Sequence, residues 1–336
     1  MVLDAQPLEI LMKALILTDG KPGHFNQSVA FCKNTGTDYE LVDISYRSKA
    51  AKALSYLLDR VGIYSEKLFT CHRAPATYHL IVSTGSTTFY PNKVLSKKLK
   101  LPNIAILSPK GYRPDFDVIL CPAYDHPPRK ENVIELPLNL CAADQSFFDE
   151  KAHEFKQKHQ PENSAVGFII GGPNAVSEIN LIQLKEQLEQ AFAQTEGCER
   201  WVTTSRRTPK EVETLIESLP FDYTLINSRD SYNPVPAFIQ LCDRLFVTSD
   251  SASMVSEATS FGTASVEILM NRQLKTPNKF QELFQGLEKN EAIHIFDGTL
   301  GSANRKIDLI PLLKQALDRI TLQPKVFPPQ NGVKSS

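Results

Sequence analysis

Short runs of apolar and β-branched residues alternate along the chain with longer stretches in which apolar residues recur every three or four positions. The first pattern is typical of buried strands and the second of amphipathic helices. Their alternation indicates βαβ units built around mostly parallel sheets. In the first half of the chain, the predicted strands span residues 13–18, 39–43, 80–83, 103–107, 118–120 and 133–135.

Two helices are predicted between these strands, over residues 48–58 and 88–100. The first helix has an apolar face with helical spacing, and its charged residues fall outside that face. The apolar residues are Ala53, Leu54, Leu57 and Leu58, and the charged residues are Lys49, Lys52 and Asp59. We therefore expect the leucines to face the core and the charged residues to face the solvent.

The second half begins after a charged segment at residues 148–163, which we interpret as a helix that links two domains. The alternation of strands and helices then resumes. The predicted strands are 165–170, 200–204, 223–226, 244–248, 264–268 and 292–296. The predicted helices are 179–195, 209–219, 235–241, 254–260 and 307–320.

This pattern predicts an α/β protein with two Rossmann-like domains that face a cleft. The expected domains are residues 12–150 and residues 151–322, with the last helix packing back. Residues 323–336 are polar and rich in proline, and they are expected to form a flexible tail. Met12 is a candidate for the true start, because a buried strand is predicted directly after it.

Composition excludes several classes of protein. The 336 residues carry a formal net charge of −1, which argues against a general nucleic-acid binder with a basic stripe. No stretch approaches the ~18 consecutive apolar residues of a membrane-spanning helix, so no transmembrane segment is expected. The six cysteines include no Cys-x-x-Cys pair. They indicate neither a zinc site nor a disulfide framework and fit a reducing, cytoplasmic setting.

Open parallel sheets bind their ligands at the carboxyl ends of strands, and the first loop at such a position reads TDGKPGHFNQS. Gly20 and Gly23 would let the backbone approach a ligand. Asp19 and His24 would supply a base and its partner near neutral pH. The alternative is an ordinary Gly/Pro turn with polar surface residues, and the two interpretations carry similar weight.

Two further loops of the first half also follow predicted strands. The stretch STGSTT at residues 83–88 contains Gly85 and Ser86. It would cradle a phosphate or a sugar hydroxyl, or simply cap a helix, and the cap is the preferred interpretation. Asp125, in the stretch PAYDH, would face the same cleft, although three nearby prolines make a structural turn an equal alternative.

In the second half, Gly171 and Gly172 form a turn after the strand at 165–170, and Arg206 and Arg207 follow the next strand. A Gly-Gly turn permits a close backbone approach, and guanidinium groups bind phosphates bidentately. We therefore predict a phosphate contact here, in preference to a solvated surface pair of arginines.

The fourth loop reads TSDSASMVSEA and leads into a helix. Its candidate binding residues are Ser249, Asp250, Ser251, Ser253 and Glu257. Helix amides and hydroxyls suit a phosphate, and a glutamate about one turn further on can accept hydrogen bonds from the two hydroxyls of a ribose. The alternative is a capped helix with its glutamate on a wet face.

Other familiar motifs do not occur. The sequence contains no Gly-x-Ser-x-Gly elbow, Walker loop or Gly-x-Gly-x-x-Gly fingerprint. Hydrolase, P-loop ATPase and dehydrogenase functions are therefore not indicated. His72 and His79 lack a third ligand at a metal-like spacing, so no metal site is predicted.

The motifs TDGKPGHFNQS, PAYDH, IIGGPN, TTSRRTP and NPVPAF…VTSDSASMVSEATSFG occur in this order from about Met12 to the last helix. In these motifs the chain resembles the mitochondrial-fission "elongated mitochondria" family and its bacterial relatives. The resemblance implies a GT-B-like architecture. The family's plant member is a cytosolic protein that recruits a dynamin-related protein to mitochondria, and its bacterial members have no settled activity.

The resemblance also implies roles for the candidate residues. In the second domain, the glycine pair and Arg206 would lie near the diphosphate of a nucleotide sugar. The serines and Asp250 would surround phosphate or sugar, and Glu257 would meet the ribose. In the first domain, Asp19 and His24 would face the acceptor as candidate bases. No cofactor and no metal are expected, because an arginine and a helix N-terminus would neutralise the diphosphate.

The chain departs from the family pattern at two places. It reads PAYD where Pro-x-His-Asp is expected, so the imidazole is lost from this loop unless His126 substitutes for it. It reads Gly-Thr-Ala at residues 262–264, where relatives often have Gly-Lys-Pro. The first departure bears on any catalytic role of the loop, and the second concerns a turn.

Two functions are compatible with these observations. One is a metal-independent glycosyltransferase that moves a sugar from a nucleoside-diphosphate donor to an unknown acceptor. The alternative is a binding or adaptor protein that keeps the fold without catalysis. Peripheral contact with a membrane that carries a lipid acceptor is a third option, but the sequence pattern gives no sign of a basic amphipathic helix.

Overall fold

The structure of the protein, a computed structural model, describes residues 12–72 and 76–322. Spatial contacts divide the chain into two units. Unit 1 contains the residues up to Leu136 and those from Leu309 onward, and unit 2 spans Pro137–Asp308. The sequence predicted a boundary at residues 150 and 151 instead. The predicted tail at 323–336 and the segment before Met12 lie outside the described residues.

Unit 1 is built around a seven-stranded sheet. Its strands are β1 (Lys13–Thr18), β2 (Asp38–Tyr46), β3 (Phe69–Cys71), β4 (Leu80–Thr84), β5 (Asn103–Ile106), β6 (Val118–Pro122) and β7 (Val133–Leu136). Their order in the sheet is β3-β2-β1-β4-β5-β6-β7. All neighbours are parallel except β2 and β3. The sequence pattern missed β3, a strand of three residues at the sheet edge.

Four α-helices accompany this sheet. They are α1 (Pro22–Thr35), α2 (Lys49–Arg60), α3 (Phe89–Leu99) and α10 (Ile310–Leu322). The last helix packs against α1, β6 and β7, which explains why it groups with unit 1. Single-turn 3₁₀ helices occur at Glu66–Leu68 and Ala123–Asp125.

Unit 2 contains a six-stranded parallel sheet and a short antiparallel ribbon. The sheet strands are β8 (Ala165–Ile170), β10 (Glu199–Thr204), β11 (Tyr223–Leu225), β12 (Arg244–Thr248), β13 (Ser265–Leu269) and β15 (His294–Ile295). They lie in the order β11-β10-β8-β12-β13-β15. The ribbon pairs β9 (Ser177–Glu178) with β14 (Arg272–Gln273), and the sequence pattern did not predict it.

The helices of unit 2 are α4 (Gln145–His159), α5 (Leu181–Gln194), α6 (Lys210–Glu217), α7 (Val235–Leu241), α8 (Ala252–Ser260) and α9 (Lys279–Lys289). Helix α4 was predicted to link the domains, but it packs on α7 within unit 2. Its Phe155 is fully buried and contacts the rings of Trp201 and Phe238. Helix α9 was not predicted, although Asn278 and Gln281 form a capping box at its start.

Helix α2 corrects one expectation about which residues are buried. Leu54 and Leu57 are 42% and 58% exposed, whereas Asp59 is fully buried. The reason is an ion pair, because Lys93 is also buried and its Nζ lies 2.8 Å from Oδ1 of Asp59. The backbone N–H of Arg113 donates to the same carboxylate at 2.6 Å. A buried charge must be paired, and here the ion pair lies on the inward face of the helix together with Tyr56 and Leu58, which pack against the core.

No two of the six cysteines, all of which lie in the described ranges, form a disulfide bond. In the part of the chain that the structure describes, no helix combines the length and apolar character needed to cross a bilayer.

Candidate active site

The first cluster of candidate residues follows β1, where Asp19 and His24 form a pair. Helix α1 begins at Pro22, so His24 belongs to the first helical turn and not to a loop. Its Nδ1 lies 3.1 Å from Oδ1 of Asp19. The Asp19 side chain is 5% exposed and the His24 side chain 30% exposed. The two residues predicted as a base and its partner are therefore in direct contact.

The ionisation of Asp19 determines the tautomer of His24. Burial by itself would raise the pKa of Asp19, but its interactions with His24 and its hydrogen bond from the Lys21 N–H hold that pKa below the ordinary value. An ionised carboxylate only accepts hydrogen bonds, so Nδ1 of His24 carries the hydrogen. In the neutral ring, Nε2 is then the basic nitrogen. The contact with Asp19 therefore fixes the orientation of the imidazole and leaves Nε2 as its free acceptor.

Two of the three glycines of this cluster have a structural explanation. Gly85 has a φ of +93°, and a Cβ there would lie 2.5 Å from Nδ1 of His24. Glycine therefore permits the turn and leaves room for the imidazole. Gly20 has a φ of +75° and donates its N–H to Oγ1 of Thr18 at 3.0 Å. Gly23 lies in the first turn of α1 beside open space, and nothing in the structure explains it.

The loop after β4 contacts α2 and does not form the expected cap. Nζ of Lys52 donates to Oγ1 of Thr87 at 3.0 Å and to Oγ of Ser86 at 3.4 Å. Thr88 occupies the N-cap position of α3 without a capping side-chain bond. Lys52 is half-buried, and among the described residues it has hydroxyl partners but no carboxylate partner. Its charge is therefore left without a counter-ion.

An open cavity of about 360 Å³ lies beside the Asp19–His24 pair. Three lysines, Lys21, Lys49 and Lys52, line it together with Asp19 and polar residues of β2 and of the two loops. Its one carboxylate, Asp19, is paired with His24 and with Lys21, so Lys49 and Lys52 have no carboxylate partner in this cavity. The surplus of positive charge favours an anionic group in this cavity.

Asp125 does not join this cluster. It follows β6, and β5 and β4 lie between β6 and β1 in the sheet. Three strand spacings, or roughly 14 Å, therefore separate the two strand ends. Asp125 is in the 3₁₀ turn and lies 3.9 Å from Nζ of Lys110.

In unit 2, the Gly-Gly turn after β8 is held by Asp250. The fully buried carboxylate accepts the Gly172 N–H at 3.2 Å and the Thr248 hydroxyl at 2.7 Å. It also pairs with Nη2 of Arg207 at 2.5 Å. A Cβ on Gly171 would lie 2.1 Å from Oδ1 of Asp250. Packing of the loops after β8, β10 and β12, which are neighbours in the sheet, therefore already requires the glycine pair.

Of three predicted phosphate ligands, two have buried side chains and the third is exposed. The side chains of Ser249 and Asp250 are buried, and Oγ of Ser249 accepts the Asn271 N–H at 2.9 Å. Both residues thus position the loop from within and do not present their side chains to a ligand. Arg206 is exposed and makes no hydrogen bond or ion pair with any described residue, whereas its neighbour Arg207 binds Asp250.

Helix α8 supplies the groups that remain available for a ligand. Ser251 is its N-cap, and the Ser251 hydroxyl accepts the Met254 N–H at 3.4 Å. Ser253 is exposed in the first turn. Glu257 lies four residues further on, so Ser253 and Glu257 share one face of the helix. Orphan N–H groups, a hydroxyl and a carboxylate therefore follow one another along α8.

Glu257 is half-buried and electrostatically unusual. Burial raises its pKa to about 7, and a hydrogen bond with Cys141 lowers the pKa only in part. An ordinary solvated glutamate would stay near its unperturbed pKa, so Glu257 does not sit on the wet face that was the alternative interpretation. A carboxylate with a strongly shifted pKa is a candidate for a functional role.

Within residues 12–72 and 76–322, no group of three His, Cys, Asp or Glu side chains could hold a metal ion.

Sequence reasoning did not identify the roles of three residues that organise the two clusters. Arg207 and Thr248 bind Asp250, and Lys52 reaches the loop after β4. No local pattern distinguishes Arg207 from Arg206. The Lys52 contact joins residues 35 positions apart, and only the order of strands and helices in space brings them together.

A family model described as mitochondrial fission ELM1 matches residues 22–316. The chain therefore belongs to this family, as the motifs predicted. No curated protein sequence matches the chain.

Solved structures with a similar fold include the UDP-GlcNAc 2-epimerase from Methanocaldococcus jannaschii. The TM-score is 0.50 at 11% identity, over 91% of this chain and 92% of that chain. A Neisseria meningitidis UDP-GlcNAc 2-epimerase bound to UDP-GlcNAc has a TM-score of 0.48 at 12% identity, with coverages of 91% and 99%. Anabaena Alr3699/HepE in complex with UDP and glucose has a TM-score of 0.49 at 11% identity, over 93% of this chain and 100% of that chain. The first likeness confirms the GT-B fold with its two Rossmann-like domains.

Proposed function

We propose that this member of the mitochondrial fission ELM1 family is a metal-independent glycosyltransferase. It takes a sugar from a nucleoside-diphosphate donor and transfers it to a hydroxyl group of an anionic acceptor. The observation that carries the proposal is the Asp19–His24 pair, with its 3.1 Å contact beside a lysine-lined cavity. An adaptor would need neither an oriented imidazole nor an unneutralised lysine at this place.

The donor is assigned to unit 2. Its diphosphate would meet the N–H groups at the start of α8, the hydroxyls of Ser251 and Ser253, and the exposed guanidinium of Arg206. The ribose would reach Glu257 on the same face of the helix. This assignment keeps the glycine pair near the diphosphate and gives Ser249 and Asp250 the task of holding the loop.

In the proposed reaction, Nε2 of His24 takes the proton of the acceptor hydroxyl while the hydroxyl oxygen forms a bond to the anomeric carbon of the sugar. The bond between that carbon and the diphosphate oxygen breaks, and its electron pair leaves with the nucleoside diphosphate. Asp19 stabilises the imidazolium that forms. The α8 N-terminus and Arg206 stabilise the charge on the leaving group.

Lys52 supports an anionic acceptor, and its replacement tests this part of the proposal. Lys52→Met keeps the aliphatic stem and removes the charge, so the affinity for inorganic phosphate should fall about fivefold, the effect of losing about 1 kcal/mol of charged hydrogen bonding. We would measure it by calorimetry with the donor site filled by a nucleoside diphosphate. Lys156→Met, at an exposed position of α4, is the matched control and should bind as the unmodified protein does. Equal phosphate affinity in both variants would contradict the anionic acceptor.

The first test of the whole proposal is a thermal-shift screen with nucleoside diphosphates and nucleotide sugars. A ligand at a hundred times its dissociation constant stabilises the native protein by about 2.7 kcal/mol, which is easily detected. A selective response, followed by release of nucleoside diphosphate in the presence of an acceptor, supports the transferase. A well-folded protein that responds to no compound would favour the adaptor instead.

The raised pKa of Glu257 predicts that nucleotide-sugar binding depends on pH. A ribose is held by the ionised carboxylate, whose fraction falls from about 0.9 at pH 8 to about 0.1 at pH 6 for a pKa near 7. The dissociation constant should therefore rise about tenfold between pH 8 and pH 6. A nucleotide sugar is the proper probe, because its diphosphate does not titrate in this range. In Glu257→Gln this dependence should vanish, and its persistence would remove Glu257 from the ribose site.

Although Glu257→Gln should weaken nucleotide-sugar binding at pH 8, it should make the folded protein more stable at that pH. The pKa of Glu257 is higher in the folded protein than the unfolded value of 4.5. The folded protein therefore keeps its full stability below pH 4.5, where the carboxyl is protonated in both states, and it loses stability as the pH rises through 7. The penalty above pH 7 is on the order of 3 kcal/mol. Glu257→Gln should consequently melt at a higher temperature than the unmodified protein at pH 8, a trade of stability for binding that is common at functional sites.

A further inference from the structure

Helix α2 carries an exposed apolar ridge, formed by Leu54 and Leu57 together with Val61 and Ile63 directly after the helix. These side chains are 42%, 58%, 68% and 53% exposed. In unit 1, no other stretch of comparable length exposes as many large apolar side chains among the described residues. Isolated exposed leucines are ordinary, but a contiguous apolar patch marks an interaction surface.

The ridge is a fixed feature of the folded domain. Leu54 and Leu57 are three residues apart, so they lie on one face of α2. Ser55 and Asp59 lie on the opposite face and are fully buried. Oγ of Ser55 lies 3.0 Å from the Tyr112 hydroxyl, and the Asp59 carboxylate is bound by Lys93. Because the polar face is held inside by these bonds, the apolar face has to point outward.

The exposed charges within the ridge segment, residues 47–63, are positive. Arg47, Lys49 and Arg60 are exposed at the two ends of α2. The only acidic residue between positions 47 and 63 is Asp59, which is buried and neutralised by Lys93. Beyond this segment, Asp115 is paired with Lys93 and Arg113, and Glu66 is paired with Lys98. The ridge is thus an apolar stripe with a cationic rim and no exposed carboxylate of its own.

We propose that the α2 ridge binds the surface of an anionic lipid bilayer, with α2 lying in the membrane plane. The four apolar side chains would enter the boundary between head groups and acyl chains, while the cations at both ends would meet anionic head groups. This attachment concerns unit 1 by itself and does not depend on the proposed transfer reaction.

Two observations favour a bilayer over another protein. The four side chains are 42% to 68% exposed, and they line neither the cavity beside Asp19 nor those beside His72 and His159. A bilayer accepts a protruding apolar ridge without a matching groove. A second copy of the chain is disfavoured by charge, because a two-fold contact between antiparallel α2 helices would bring Lys49 of each copy close to Arg60 of the other.

The test is co-sedimentation of the full chain with vesicles. We expect binding to phosphatidylcholine vesicles that contain phosphatidylglycerol, much weaker binding to pure phosphatidylcholine, and a loss of binding as salt is raised. The double variant Leu54→Ser/Leu57→Ser should lower the partition coefficient at least about tenfold. The double variant Lys49→Glu/Arg60→Glu should abolish the preference for the anionic vesicles.

Ile182→Ser is the matched control, because Ile182 is 72% exposed on α5 of unit 2 and should leave vesicle binding unchanged. Thermal melting of each variant checks that the fold is retained. The proposal is overturned if the protein ignores both kinds of vesicle, or if the leucine variant binds as the unmodified protein does. It is equally overturned if light scattering reveals a dimer that the leucine substitutions dissociate.

Discussion

Replacing His24 by alanine is expected to lower kcat by about 10²- to 10⁴-fold, the usual contribution of a positioned general base, while the dissociation constant of the nucleotide-sugar donor stays the same. The reason is that the base and the donor-binding residues are assigned to different units. His24 contacts Asp19 in unit 1, whereas the donor is assigned to α8 in unit 2. Asp19→Asn should cause a comparable loss, because an amide can donate to Nδ1 and select the wrong tautomer of the imidazole.

Initial rates with saturating donor, together with donor binding measured by calorimetry, check this prediction. His153→Ala is the control, since His153 is exposed on α4 and should retain full turnover. Unchanged kcat in the His24 variant would exclude His24 as the base. A loss of donor binding in that variant would contradict the separation of the two roles.

Replacing Asp250 by alanine should destabilise the protein by about 3 to 5 kcal/mol, as expected when one partner of a buried, charged hydrogen-bond network is removed. The carboxylate is fully buried and binds Gly172, Thr248 and Arg207. Their hydrogen-bonding groups would lose their partner, and a void would remain beside the glycine turn. Nucleotide binding should fall as well, because three loops at the carboxyl edge of the sheet would lose their common anchor.

Urea unfolding of Asp250→Ala and Asp149→Ala would measure the effect. Asp149 is exposed on α4, and its replacement should change the free energy of unfolding by no more than about 0.5 kcal/mol. If Asp250→Ala were as mild as its control, Asp250 would not be the anchor of the loops. The predicted role of Asp250 as a direct ligand would then deserve testing again.

The interior of each sheet could be predicted well from the sequence. Strands β8 and β12 were predicted with the bounds that the structure has, Ala165–Ile170 and Arg244–Thr248. Interior parallel strands are buried on both faces, and they therefore read as continuous apolar runs. Short elements at the periphery were not predictable in this way. Strand β3 and the β9–β14 ribbon have two or three residues per strand, too few for any periodicity.

The orientation of α2 and the organisation of the loops required the structure. An amphipathic pattern identifies an apolar face, but it does not reveal that Asp59 finds a buried partner 34 positions away. Likewise, the sequence placed Asp19 and His24 in one loop, Gly85 in another and Asp125 in a third. Only the strand order, with β1 beside β4 and β6 three positions away, decides which of these residues meet.

Unit 1 is assembled from two separate parts of the chain, with unit 2 between them. Domains fold as units during synthesis, generally in the order in which they leave the ribosome. Here the order is reversed, because all of unit 2 has been made before α10 emerges. Until then, the surface of α1, β6 and β7 on which α10 packs stays uncovered. A nascent chain therefore passes through a stage in which its second domain is complete and its first is still waiting for its last helix.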